Sequence, residues 1–153
     1  MSLSPEERAK VIKAAFEARD MAYCPYSKFR VGAALITPEG EVIKGANIEN
    51  ASYGGTICAE RTALVKAVSD GKKSFIGLAV VTDVHEPLSP CGICRQVIRE
   101  FCGLKMPVLL VASDYAADAD EREGKAKILE ITVEGLLPHS FGPEHLELPR
   151  GAA

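Results

Sequence analysis

Basic runs are missing from this chain. No stretch of its 153 residues holds more than two consecutive Lys or Arg, and the formal net charge is −3 with a pI near 5.7. A phosphate backbone is met by clustered positive charge, so DNA and RNA are disfavoured as ligands and a small or neutral substrate is favoured. Long apolar runs are missing too. Stretches such as Gly77 to Val81 fall far short of the roughly 20 residues that span a bilayer, so no membrane association is expected. The opening Met1-Ser-Leu-Ser-Pro-Glu-Glu-Arg lacks the apolar core of a secretory signal. Internal repeats and low-complexity tracts are absent, and the expectation is one domain over residues 1–153, near the commonest domain size. A cytoplasmic, reducing setting follows as the default. There, the five cysteines read as metal ligands or core residues rather than as a disulfide framework.

What is present has the patterning of a globular α/β chain, with 47% hydrophobic and 25% charged residues. Ser4 followed by Pro5-Glu6-Glu7 marks a helix start, and an apolar stripe through Val11, Ile12, Ala15 and Phe16 carries that helix to about Met21. Phe29 to Ile36 and Glu41 to Ile48 read as extended segments around the turn Thr37-Pro38-Glu39-Gly40. Helical spacing resumes over Cys58 to Val68 and Cys91 to Phe101. Near-continuous apolar runs at Phe75 to Thr82 and Val108 to Ala112 suit strands covered on both faces. Asp114 to Lys127 is a charged, alanine-rich connection, followed by a candidate strand at Ile128 to Val133 and a short helix over Glu134 to Leu137. The expected architecture is α/β: a mixed central sheet of about five strands with helices on both faces.

Chemistry concentrates at two helix starts. Pro90-Cys91-Gly-Ile-Cys94 is a C-x-x-C where a loop gives way to a helix, and Ile57-Cys58-Ala59-Glu60 opens the preceding helix in the same way. Two thiols at that spacing face one side of a single turn and can grip one Zn²⁺. The helix dipole favours their thiolates. A redox dithiol explains the C-x-x-C alone but leaves Cys58-Ala-Glu60 without a role. A closed four-cysteine site needs another thiol. Cys102 lies eight residues past Cys94, about 12 Å by helical rise, and reads as a small buried hydrophobe. Cys24 cannot be placed from sequence. Three ligands, Cys58, Cys91 and Cys94, leave an open fourth position, the mark of a catalytic zinc that acidifies bound water. Glu60 stands two residues from Cys58, placed for general acid-base work; the plainer alternative is a solvent-facing first-turn acid. Arg61 can donate to the sulfurs and offset their charge, or lie solvated on the surface.

Cys58-Ala59-Glu60-Arg61 with Pro90-Cys91-x-x-Cys94-Arg95-Gln96 resembles the zinc signature of the cytidine deaminase superfamily. Cysteine at the first ligand position is similar to the small homotetrameric cytidine deaminases. The blocks Tyr26 to Ala34, Asn47 to Tyr53 and Leu136 to Pro143 extend the resemblance over nearly the whole chain. It implies a cytidine deaminase-like three-layer sandwich, one Zn²⁺ per chain, and hydrolysis of cytidine and deoxycytidine to uridine and deoxyuridine with release of ammonia, in nucleoside salvage. It implies that Asn47 and Glu49 hydrogen-bond the ribose, that Phe29 packs on the pyrimidine, and that Tyr53 belongs to the segment lining the sugar pocket. The backbone near Ala59, together with Glu60, is implied to read the base edge. Phe141 is implied to reach a neighbouring subunit's site in a homotetramer with shared active sites. Each residue also has an ordinary structural alternative: Asn47 a turn residue, Phe29 and Phe141 core aromatics, Tyr53 a loop anchor. Within the superfamily, a free base, blasticidin S or a polynucleotide are alternative substrates, and a non-enzymatic zinc module is the alternative outside it.

Overall fold

The computed structural model describes residues 2–116 and 127–150. The chain opens with helix α1 (Pro5–Arg19). Ser4 caps it: its hydroxyl accepts the Glu7 N–H at 3.2 Å while the Glu7 carboxylate accepts the Ser4 N–H at 2.7 Å. This reciprocal box satisfies two otherwise orphaned donors. The helix stops at Arg19, slightly before the expected Met21, with Asp20 as its C-cap.

Strands β1 (Val31–Ile36) and β2 (Val42–Ala46) form an antiparallel hairpin. Its turn closes through Thr37 and Glu41, and Gly40 takes φ +78°, a left-handed conformation that glycine adopts without a Cβ clash. Helix α2 (Ala59–Ser69), strand β3 (Gly77–Thr82), helix α3 (Gly92–Phe101), strand β4 (Pro107–Val111), strand β5 (Ile128–Thr132) and the short helix α4 (Val133–Leu136) follow. The charged connection expected over Asp114 to Lys127 lies mostly outside the described residues.

The sheet order is β2-β1-β3-β4-β5. Only β3 and β4 pair in parallel; β1–β2, β1–β3 and β4–β5 are antiparallel. The mixed five-strand sheet with helices on both faces is thus as expected. Alternation along the central strands sorts their residues between two cores. Ala34, Ile36, Ala79, Val81, Leu109 and Val111 face α1, where Val11, Ile12 and Ala15 are buried. Ala33, Leu35, Leu78, Val80, Val108 and Leu110 face the other layer, meeting Ala63 and Leu64 of α2 and Ile98 of α3. No helix among the described residues is long and apolar enough to cross a membrane.

Two glycines set how close the layers lie. A Cβ on Gly32 of β1 would meet the Ala15 carbonyl oxygen of α1 at 2.1 Å, and one on Gly45 of β2 would meet the Ala63 nitrogen of α2 at 2.3 Å. Strand backbone therefore rests directly on helix backbone at both points, which fixes α2, and with it the start of the candidate site, against the sheet.

Candidate metal centre and active site

Cys58 and Cys91 occupy the N-cap positions of α2 and α3, each in extended conformation and neither making a side-chain cap bond. Cys94 stands three residues into the helix that Cys91 opens. Because α2 and α3 pack together on the same sheet face, their N-termini converge. The three sulfurs lie within 4.8 Å of one another, with Cys58 and Cys91 at 3.9 Å. A tetrahedral ion bonded to sulfur at about 2.3 Å requires sulfurs about 3.8 Å apart, so the cluster fits one zinc ion. Among the described residues, no other Cys, His, Asp or Glu joins this group. Cys102 is buried among apolar side chains, and burial pushes its thiol up to about 12, as suits the small hydrophobe expected of it.

One sulfur of the cluster, that of Cys58, is polarised toward thiolate. A hydrogen bond from Cys94, reinforced by the Arg61 guanidinium, lowers the Cys58 thiol to about 5. Cys94, the partner in that bond, is pushed up. Arg61 Nη2 donates to Cys58 Sγ at 3.4 Å, and its own proton is held more tightly by the sulfurs. Arg61 thus lies against one of the three sulfurs.

Glu60 is no solvent-facing first-turn acid. It is only 4% exposed, and its Oε2 lies 3.7 Å from Cys94 Sγ. Burial raises its pKa, and the charge on Cys58 adds to the effect. A buried carboxyl drawn toward neutrality can both take and give a proton at ordinary pH.

Cys58, Glu60 and Cys91 line a cavity of about 250 Å³ together with Phe29, Asn47 and Glu49. Ala59, the first residue of α2, is fully buried beside it. Asn47 and Glu49 are both held by backbone. Asn47 Oδ1 accepts the Val31 N–H and Nδ2 donates to the Phe29 carbonyl, each at 2.8 Å. Glu49 accepts the N–H of Tyr26 at 2.9 Å and of Ser27 at 3.2 Å. Hydrogen bonding from Ser27 and Tyr26, opposed by slight desolvation, keeps the Glu49 carboxyl below its ordinary value.

Two expected site residues stand apart. Tyr53, 75% exposed, lines an outer cleft of about 400 Å³ with Tyr26, its ring 5.7 Å from the Tyr26 ring. The cleft shares Glu49 and Thr56 with the inner cavity. Phe141 is 58% exposed, stacks on His145 at 5.7 Å and does not line the cavity of its own chain.

A family model described as the cytidine and deoxycytidylate deaminase zinc-binding region matches residues 5–110, a span that contains all three sulfurs and Glu60. The chain belongs to that family. A cytidine deaminase of Sporosarcina psychrophila is 52% identical over 137 residues, covering 90% of this chain and 93% of the relative. One of Halalkalibacterium halodurans is 49% identical over 140 residues, covering 92% and 98%. Among solved structures, cytidine deaminase from Burkholderia pseudomallei superposes with a TM-score of 0.77 at 40% identity, over 91% of this chain and all of that one. The protein is accordingly a zinc-dependent hydrolytic deaminase of the cytidine deaminase family, and Cys58, Cys91 and Cys94 are suited to one zinc per chain.

Seen as a family member, the chain shows further site residues that the sequence reading left out. Leu88 and Ser89, on the loop into Cys91, line the cavity with Thr56, Val80 and Thr82. Near-continuous hydrophobicity hides which face of β3 points there. Arg95 and Gln96 stood within the zinc signature without a role of their own and Arg99 only within a helix, yet one face of α3 ties down the C-terminal segment. Arg95 donates to the Pro90 and Leu136 carbonyls at 2.7 and 2.9 Å, and Gln96 donates to the Phe141 carbonyl at 2.9 Å. Arg99, 7% exposed, bonds Ser140 Oγ at 2.9 Å and pairs with Glu144. Their i, i+3 and i, i+4 spacing is the signal that could have marked a shared face.

Proposed function

We propose that this protein converts cytidine and deoxycytidine to uridine and deoxyuridine, releasing ammonia, as a cytoplasmic nucleoside-salvage enzyme folded as one domain. The observation that supports this most directly is a buried carboxyl, Glu60, beside three convergent thiols, two of which line with it a cavity of about 250 Å³. When bound, zinc supplies Lewis-acid activation of the attacking water.

The chain's own residues do the rest. Glu60 takes the proton of the attacking water and delivers it to N3 of the pyrimidine. It then takes the proton of the hydroxyl newly bonded to C4 and passes it to the amine, which leaves as ammonia as the C4 carbonyl forms, and its raised pKa matches this alternation of base and acid. The backbone at Ala59 reads the base edge with Glu60. Phe29 packs on the ring, and Asn47 and Glu49 hold the ribose hydroxyls through the hydrogen-bonding capacity their backbone partners leave free. Arg61 at Cys58 Sγ offsets the negative charge that three thiolates bring. Tyr53 lines the outward, sugar side. Phe141, exposed and anchored to α3, reaches the base in a neighbouring subunit's site, and the working enzyme is a homotetramer with shared active sites.

Metal analysis and a cytidine assay of Glu60→Gln test the reading together. The expectation is unchanged zinc and a fall in kcat of about 10²–10⁴-fold. An active Glu60→Gln rules out the mechanism. A panel of cytosine, cytidine, deoxycytidine, dCMP and blasticidin S assigns the substrate; turnover of free cytosine in preference to the nucleosides overturns the ribose roles, and a preference for dCMP overturns the nucleoside assignment. Sedimentation that finds an active monomer defeats the role given to Phe141.

A further inference from the structure

The wall of the cavity formed by Phe29 lies outside the sheet. The β1–β3 ladder ends at the pair Val31–Thr82, so residues 29 and 30 have no ladder partner to fix them. Buried or half-buried backbone groups at such an end need another acceptor or donor, and here side chains supply it. Ser27 Oγ accepts the Phe29 N–H at 3.1 Å, Asn47 bonds the Phe29 carbonyl and Val31 N–H, and Asp83 Oδ2 accepts the Arg30 N–H at 2.9 Å.

Asp83 is the residue directly after Thr82, at the end of β3. Its carboxylate extends the β1–β3 pairing by one step where the backbone no longer can. The same carboxylate takes Arg30 Nη2 at 2.8 Å and Nε at 3.2 Å. Arg19 of α1 braces the junction from below, donating to the Thr82 carbonyl at 2.8 Å with its guanidinium 4.0 Å from Asp83. Alternation then sends Arg30 to one face and Phe29 and Val31 to the other, into the cavity wall with Val80 and Thr82.

We propose that Asp83 is a positioning residue that sets the cytidine-binding width of the cavity by clamping the Arg30 backbone N–H and so holding Phe29 against the end of β3. The inference rests on the reading that Phe29 packs on the pyrimidine. Asp83 itself neither lines the cavity nor joins the sulfur cluster; it acts through one backbone bond. Two further contacts to Arg30, the side-chain ion pair and its support from Asp20 at 3.4 Å, serve stability rather than width.

The test separates the two parts of the contact. Asp83→Ala removes both the ion pair and the N–H acceptor, whereas Arg30→Ala removes the ion pair and keeps the acceptor. In Asp83→Ala, KM for cytidine is expected to rise about tenfold, equivalent to about 1.4 kcal/mol, with kcat little changed and zinc still one per chain. Arg30→Ala is expected to lower the melting temperature with KM within about twofold of wild type. Asp83→Asn, whose amide oxygen still accepts the N–H, is expected to restore most of the affinity. If Asp83→Ala fails to fold, Asp83→Glu, with its carboxylate displaced by one methylene, is expected to raise KM while the ion pair persists. An equal KM shift in Asp83→Ala and Arg30→Ala overturns the clamp, as does an unchanged KM in Asp83→Ala or, in its place, Asp83→Glu. Phe29→Ala keeps the two readings apart. If it raises KM and Asp83→Ala does not, only the clamp falls; if wild-type enzyme with full zinc fails to bind cytidine, the parent reading falls.

Discussion

Gly45 is where the sheet can be made to push on the metal centre. A Cβ added there stands 2.3 Å from the Ala63 nitrogen, 2.5 Å from the Ala59 carbonyl oxygen and 2.8 Å from the Ala63 Cα. All three atoms are backbone, so no side chain can rotate away, and non-bonded carbon contacts relax only near 3.5 Å. Helix α2 must therefore retreat by about 1 Å in Gly45→Ala, an overpacking strain of typically about 1–3 kcal/mol. At roughly 2–4 °C per kcal/mol for a chain of this size, the melting temperature falls by about 2–12 °C. The same retreat moves Cys58, Glu60 and Arg61 relative to Cys91 and Cys94, and a displacement of about 1 Å at reacting groups lowers turnover by about 10²-fold. Differential scanning fluorimetry, zinc stoichiometry and cytidine turnover read the three effects. Gly54→Ala is the control, because a Cβ there meets nothing within 4 Å. A Gly45→Ala enzyme that melts and turns over like wild type would refute the claim that α2 sits directly on the β2 backbone.

Four further outcomes follow from the site. Cys91→Ser is expected to lose zinc and activity together, while Cys24→Ala, outside the sulfur cluster, keeps one zinc per chain by metal analysis; zinc loss in the second variant defeats the open-site reading. Arg61→Ala is expected to weaken zinc retention against a chelator by about 10–100-fold, as loss of a group bonded to a metal ligand does, and retention equal to wild type removes its role. Arg99→Met keeps the apolar stem but loses the bonds to Ser140 and Glu144, so amide exchange from Ser140 to Leu146 is expected to quicken, read by mass spectrometry. Glu49 has a folded pKa below its ordinary 4.5, so its contribution to stability is complete above that value and is lost as pH falls through the lowered one. The melting-temperature gap between wild type and Glu49→Gln is therefore expected to close as pH drops below 4.5, and a gap that widens there contradicts the assigned sign.

The zinc ligands were legible because their signal is local: a C-x-x-C at one helix start and a Cys-x-Glu at another, each readable from spacing alone. Glu60 was legible as a position but not as a buried group, since its 4% exposure depends on α3 covering the first turn of α2. The mixed sheet and its helical layers followed from apolar runs and period. Strand ends did not. Phe29 and Arg30 look like the start of a strand, yet they leave the ladder because partners 18 and 53 residues away hold their backbone, and no window of sequence contains both sides of such a bond. Phe141 shows the same limit in stronger form, for the partner proposed for it lies on another chain.

Cys58 and Cys91 spend the capping positions of two helices on sulfur, leaving both first turns without a side-chain cap. A metal ion held by those two sulfurs would tie the starts of α2 and α3 to each other in place of the missing caps. Removing zinc with a chelator is accordingly expected to lower the melting temperature and to quicken amide exchange first at those two helix starts.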